Sequence, residues 1–176
     1  MRKGGGKQKG SAFERDVCHR LSLWVTDGQK VDVFWRSAMS GGRATRARGK
    51  VRQAGDICAV APEGNAFADQ WFVECKHVKH LNLEGFLIKG LGKLHEFWEL
   101  ARSEARKYHR DPMIICKQNG WPVLVISRTD HVAHWAPPLI RAEGFDVTLF
   151  ENILAVPYDR RLGDVRPRSW RSPPKR

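Results

Sequence analysis

Glu74 and Lys76 lie two apart in the run W-F-V-E-C-K (71–76), and Asp56 opens the run D-I-C-A-V (56–60). In a β-strand alternate side chains share a face, so Glu74 and Lys76 point one way while Val73 and Cys75 point the other. Both runs are apolar and β-prone, and A-P-E-G-N (61–65) between them carries turn residues, which predicts an antiparallel hairpin. Such a hairpin, turning about residues 65 and 66, sets position 56 opposite position 75 and brings the Asp56 carboxylate beside that of Glu74. Two carboxylates crowded in a partly apolar setting repel, and a hard divalent cation such as Mg²⁺, with Mn²⁺ as a substitute, relieves them by taking oxygen ligands. An ammonium beside that cation can orient or activate water and offset charge developing on a phosphorane. The group outlines a phosphodiester hydrolysis site, although E-x-K alone also occurs as a solvated, salt-bridged strand end.

A third acid, the fourth member of the group, comes from the N-terminal region. Phe13, Val17, Leu21, Trp24 and Val25 recur at helical spacing and predict a helix near 11–26. Ser11 with Glu14 three residues later matches a capping box at its start. Glu14 falls inside the apolar stripe, where an ionised carboxylate is costly unless paired or bound to metal. Either the capping box or a place in the acidic site accounts for it.

The elements that must hold these residues follow from pattern. Val31–Ser37 is a strand candidate, and 40–55 is a glycine-containing loop with little to bury. Residues 91–109 form an amphipathic helix with Leu91, Leu94, Trp98, Ala101, Ala105 and Tyr108 on one face, ended by Asp111-Pro112. Strands follow at Met113–Lys117 and Pro122–Ser127 around Gln118-Asn119-Gly120, and Val147–Phe150 with Ile153–Val156 suggest a further hairpin. The order predicts one α/β domain over 11–159, core 11–127, with a mixed β-sheet flanked by helices. Residues 1–10 and the Pro-rich 160–176 are expected to be disordered basic tails.

The net charge of +12 is concentrated. Residues 1–10, 36–52 and 160–176 hold four, six and a net six positive charges, so the remainder is net acidic. Clustered lysine and arginine release counterions from a polyanion, which points to nucleic acid. The internal cluster, Arg43, Arg46, Arg48, Lys50 and Arg52, weighs most, because tails alone also serve solubility or anionic membranes. No run of about 18 apolar residues predicts a membrane span, and no signal sequence is evident, so the expected location is the cytosol of a bacterial, archaeal or phage-infected cell, where the DNA lies.

Cys18, Cys58, Cys75 and Cys116 form no C-x-x-C pair and read as buried free thiols. His77 and His80 are poor zinc ligands at their spacing, but His77, beside the acidic strand, is a candidate DNA contact. Trp35 and Trp71 lie in strand runs and are expected in the core; Trp170 stands isolated in a basic tail.

Taken in order, F-E-R-D (13–16), F-W-R-S-A-M-S-G-G (34–42), G-D-I-C-A-V (55–60), W-F-V-E-C-K (71–76), G-K-L-H-E-F-W (92–98) and P-V-L-V-I-S (122–127) resemble the archaeal-type Holliday junction resolvases of the PD-(D/E)xK nuclease superfamily. The resemblance implies a restriction-endonuclease-like core, a Mg²⁺ requirement, and a homodimer that cuts a four-way DNA junction symmetrically. It assigns Glu14, Asp56 and Glu74 to the metal site, Lys76 to the catalytic lysine, and Arg36, Ser37 and Ser40 to a segment near the active site and the DNA backbone. Gly55 and the long basic loop 41–54 depart from the pattern, and nothing after 128 has a counterpart. Other readings are a restriction- or repair-type nuclease of the same superfamily, or a non-catalytic basic nucleic-acid-binding protein.

Overall fold

The computed structural model describes residues 5–37, 54–142 and 144–158. In chain order the elements are helix α1 (Gly5–Val25), strands β1 (Phe34–Arg36) and β2 (Ile57–Ala59), a 3-10 turn (Pro62–Gly64), α2 (Asn65–Gln70), β3 (Trp71–Val78), α3 (Leu83–Lys89), α4 (Lys93–Lys107), β4 (Asp111–Gln118), β5 (Val123–Ser127), β6 (Ile140–Ala142), β7 (Phe145–Leu149) and α5 (Phe150–Leu154). A five-stranded sheet in the order β3-β4-β5-β7-β6 forms the centre, and β1 with β2 makes a separate two-stranded ribbon. This is the mixed, helix-flanked α/β arrangement that the pattern predicts.

Strand alternation divides the apolar residues between two layers. Met113, Ile115, Val123 and Val125 pack with Phe13, Val17, Leu21 and Trp24 of α1. Ile114, Cys116, Leu124 and Ile126 pack with Phe86 of α3 and Leu94, Trp98 and Ala101 of α4. With both faces covered, β4 and β5 read as nearly unbroken apolar runs. Each large aliphatic buried this fully, Ile114, Ile115 and Ile126 among them, contributes about 1.5–3 kcal/mol.

β3 is the outer strand, pairing with β4 in parallel at Glu74↔Ile114 and Lys76↔Cys116. The α3–α4 segment supplies the crossover that a parallel pair requires. The other pairings are antiparallel, with β4 and β5 joined through the turn at Asn119 and Gly120.

Several elements differ from expectation. Helix α1 starts at Gly5, so Ser11 sits inside it and cannot be its N-cap; Lys9, one turn before Phe13, bonds the Asn119 side chain in the β4–β5 turn. The 61–70 segment is not a simple turn, because Phe67 and Ala68 are too apolar to leave in water. Phe67 is buried in α2, within 5.5 Å of Phe34 and 6.2 Å of Trp24, ring centre to ring centre. The 56–60 and 71–76 runs therefore make no hairpin with each other: β2 pairs with β1, Trp35↔Cys58, and β3 with β4.

Helix α4 stops at Lys107, and Asp111 and Pro112 open β4, a strand start being a position where a missing N–H is tolerated. The pair expected at 147–156 is a strand followed by helix α5, whose buried Phe150 and Ile153 keep an i, i+3 helical spacing; β7 pairs instead with β6. Trp71 is buried as expected, but Trp35 is 61% exposed, because alternation on β1 turns Phe34 inward and its neighbour out. Leu91, placed on the apolar face of the long helix, precedes α4 and is exposed. All four cysteines are buried.

Candidate active site

The outer edge of β3 is where the acidic residues meet. Residue 56 runs beside it: the Asp56 N–H donates to the Val73 carbonyl at 2.8 Å, and the Cys75 N–H donates to Asp56 Oδ2 at 2.8 Å. Spanning 73 and 75, Asp56 is level with Glu74. The expected neighbourhood arises, but from a chain segment laid along an open strand edge and not from a hairpin.

Gly55 makes this approach possible. Its φ is +85°, and a Cβ there would lie 2.5 Å from the Val73 carbonyl oxygen. Glycine is required here on both counts. From the other side, the Ser37 N–H donates to the Asp56 carbonyl at 2.9 Å, so β1 also fixes this residue's backbone.

Glu74 and Lys76 project toward α4. Their side chains hydrogen-bond to each other, and Lys76 Nζ is 3.7 Å from Asp56 Oδ2. The Lys76 ammonium also lies 5.4 Å from the centre of the Phe97 ring of α4. All three groups are mostly buried, yet each keeps some access to solvent.

Two carboxylates and one ammonium leave the cluster short of positive charge. Burial, then the neighbouring Asp56 carboxylate, pushes Glu74 up to about 7 despite the opposing pull of Lys76. Burial works against the charged form of Lys76, but Glu74 and Asp56 outweigh it and hold its pKa above the ordinary lysine value. A hard divalent cation fits this donor set, since it would relieve the carboxylate repulsion that raises Glu74, and Mg²⁺ is often held by only one or two carboxylates.

The other expected members take different places. Glu14 lies on α1, and its carboxylate pairs with Arg36 Nε of β1, so neither group is free of a partner. Among the described residues no three His, Cys, Asp or Glu side chains gather to hold a metal; Asp56 and Glu74 are the pair that meets, without Glu14. Ser37 is buried and contributes through its backbone. His77 points to the opposite face from Lys76, with its ring 5.4 Å from Phe13 and Nε2 3.2 Å from Asn119 Oδ1. Burial and then Lys9 lower its pKa. Ser40, Arg43, Arg46, Arg48, Lys50 and Arg52 lie outside the described residues.

An acid thus stands level with an E-x-K strand at the edge of a mixed sheet. Residues 5–143 match the model of a family described as "Phage putative PDDEXK endonuclease". The chain belongs to that family. It is a nuclease of the PD-(D/E)xK type, a superfamily whose members generally use divalent metals. The match continues through β6, beyond the region where sequence motifs were recognisable. No curated protein and no solved structure matches the chain.

Three contributors to the site were not foreseen: Gly55 as the residue that admits Asp56 to the strand edge, the Cys75 N–H that holds its carboxylate, and Phe97. The Gly-Asp pair was visible, but its importance depends on a close approach that only the fold reveals. Phe97 was readable as a helix residue outside the apolar stripe, with no sign of what it meets. No helix among the described residues is long and apolar enough to cross a membrane.

Proposed function

We propose that this chain is a Mg²⁺-dependent endodeoxyribonuclease acting on branched DNA, a Holliday junction resolvase working as a homodimer. The meeting of Asp56, Glu74 and Lys76 on the edge of β3 carries the hydrolytic part of this reading. Junction specificity and dimerisation rest on the resemblance to archaeal-type resolvases, within the superfamily to which the chain belongs.

Asp56 and Glu74 would hold the cation, which when bound supplies charge to the scissile phosphate and lowers the pKa of water. Lys76, kept as an ammonium, is suited to orienting the attacking water and offsetting negative charge on the phosphorane. The backbone bonds from Cys75 and Ser37 hold Asp56 in place before substrate arrives, and this preorganisation keeps reorganisation small. Glu14 and Arg36 border the site as an ion pair, from which Arg36 is positioned for the DNA backbone. The basic residues Arg43, Arg46, Arg48, Lys50 and Arg52, with Ser40, are assigned to phosphate contact, as their clustering suggests.

The test compares a four-way junction with linear duplex of the same sequence, in Mg²⁺ and in EDTA. The expected result is metal-dependent cutting of the junction at symmetric positions on two strands, with little cutting of duplex. Equal cutting of duplex or flaps would assign a restriction- or repair-type substrate. Absence of cutting on every substrate with Mg²⁺ or Mn²⁺ would falsify the enzyme reading and leave a DNA-binding protein.

A further inference from the structure

The Phe97 ring carries two ammonium groups. Lys76 Nζ lies 5.4 Å from its centre and Lys93 Nζ 5.9 Å. A positive charge over an aromatic face is attracted by the ring quadrupole, and the attraction limits where a flexible lysine rests. The active-site lysine and Lys93 thus share one wall, built by the first two turns of α4.

Lys93 is placed where stability alone gives little reason for a cation. It is the first residue of α4, at the positive end of the helix dipole, and the N-cap residue Gly92 offers no side-chain cap. Two of the other three bases on α4 pair at i, i+3 with an acid that precedes them, Arg102 with Glu99 at 2.7 Å and Lys107 with Glu104 at 2.6 Å. Lys93 has Glu96 at the same spacing, yet no carboxylate among the described residues pairs with it. It is exposed and lies over Phe97 at i+4. A local preference broken beside a reactive cluster is the expected signature of a residue kept for binding.

We infer that Lys93 binds a second backbone phosphate of the DNA, on the strand being cut, and that Phe97 is the positioning residue that spaces it from Lys76. The two contacts to one ring keep the ammonium nitrogens within about 11 Å of each other. That separation suits two nearby phosphates of one strand, which are spaced farther apart than the axial rise of about 3.4 Å per nucleotide because the strand also winds around the axis. The inference rests on the nuclease reading of the β3 site and adds to it the path of the substrate, from Lys76 across Phe97 toward the start of α4.

The experiment uses the full chain and a fluorescein-labelled four-way junction. Binding is titrated in EDTA across a range of salt, and cleavage kinetics are measured in Mg²⁺. Lys93→Gln should weaken binding about 5- to 10-fold at low salt, reduce the slope of log K against log salt by roughly 0.9 for the lost phosphate, and raise KM more than it lowers kcat. Lys107→Gln, on the far end of the same helix, should change none of these. Phe97→Leu should lower kcat and the salt slope together, and Phe97→Tyr, which keeps the ring, should restore both. Thermal unfolding of each variant checks the fold, and Phe97→Met takes the place of a leucine variant that does not fold, keeping the bulk without the ring.

A Lys93→Gln chain with wild-type salt slope and KM overturns the phosphate contact. A Phe97→Leu chain with wild-type kcat and slope overturns the positioning role. If the unaltered chain cuts no DNA, the nuclease reading fails, while the salt slope in EDTA still decides whether Lys93 meets a phosphate.

Discussion

Two acids and one base sit together at each outer edge of the central sheet, and the two clusters behave differently. At the far edge, Arg141 of β6 binds Asp146 of β7 through Nε at 3.1 Å and a terminal nitrogen at 3.3 Å, and reaches Asp130 at 2.6 Å. The Asp130 N–H also donates to Asp146 at 2.8 Å, so the fully buried Asp146 carboxylate is well supplied with donors. At the near edge, Lys76 offers a compact ammonium between Asp56 and Glu74, and Glu74 is left with its pKa near 7. Both clusters have the same formal charge, but a guanidinium fork donates to two carboxylates simultaneously, whereas a compact ammonium between two acids leaves their oxygens short of donors. The same inventory of charges thus gives a structural clamp at one edge and, at the other, the less well satisfied pair of carboxylates proposed above to hold a cation.

The largest expected separation between the edges is in activity. Asp56→Asn keeps a side-chain oxygen for the Cys75 N–H and should fold normally, while losing roughly 10³-fold or more in kcat. Asp146→Ala removes a buried acceptor and should lower stability on the order of 2 kcal/mol, with turnover per folded molecule preserved. Denaturant unfolding and single-turnover cleavage on both variants check this. A catalytic loss in Asp146→Ala at full folding, or its absence in Asp56→Asn, would erase the distinction drawn between the edges.

How much of this contrast was legible in sequence depends on the range of the signal. Glu74 and Lys76 share a face because strands alternate, a rule that needs only that 71–78 be a strand. The neighbourhood of Asp56 was anticipated from a hairpin that does not form. What brings Asp56 to Glu74 is a glycine-enabled approach to an open strand edge, a tertiary event between segments separated by a folded ten-residue connection. The apolar runs of β4 and β5 marked the core plainly, since burial on both faces leaves a continuous pattern. Helix α2 was missed because six residues with two buried apolar side chains resemble a turn until Phe67 finds Phe34 and Trp24. In the Asp130–Arg141–Asp146 cluster, Arg141 and Asp146 are register partners of the β6–β7 hairpin, but Asp130 shares no spacing with them.

A second way to sharpen the comparison is to titrate it. Glutamate ordinarily ionises near 4.5, and Glu74 does so near 7, so between these values the folded chain keeps a proton that the unfolded chain has lost. The contribution of this group is therefore fully present below pH 4.5, declines as pH rises and is gone above 7. At 1.36 kcal/mol per unit the difference amounts to about 3 kcal/mol. Glu74→Gln has no such proton to lose, so in EDTA its stability relative to wild type should rise from pH 4.5 to pH 8. Adding Mg²⁺ at pH 8 should stabilise the wild type and do much less for the glutamine variant. A stability difference that does not change with pH would mean that Glu74 is not strained by its neighbours.

The subtlest test exchanges the cations between the edges. Lys76→Arg places a fork between Asp56 and Glu74, with donors for both, and so should make the site resemble the far edge. Stability in EDTA should then hold or rise by about 0.5–1 kcal/mol. Cleavage should fall roughly 10²-fold, because the compact ammonium is replaced by a larger, differently directed group and the carboxylates become better paired with protein than with a cation. Arg141→Lys makes the reverse change: one ammonium cannot reproduce the three contacts to Asp130 and Asp146, so the melting temperature should drop by a few degrees while cleavage is untouched. The contrast requires that Arg141→Lys destabilise the chain and that Lys76→Arg not do so. If Lys76→Arg destabilises as Arg141→Lys does, the near edge is already optimised around its lysine, and a shortage of donors there is not what prepares it for a metal.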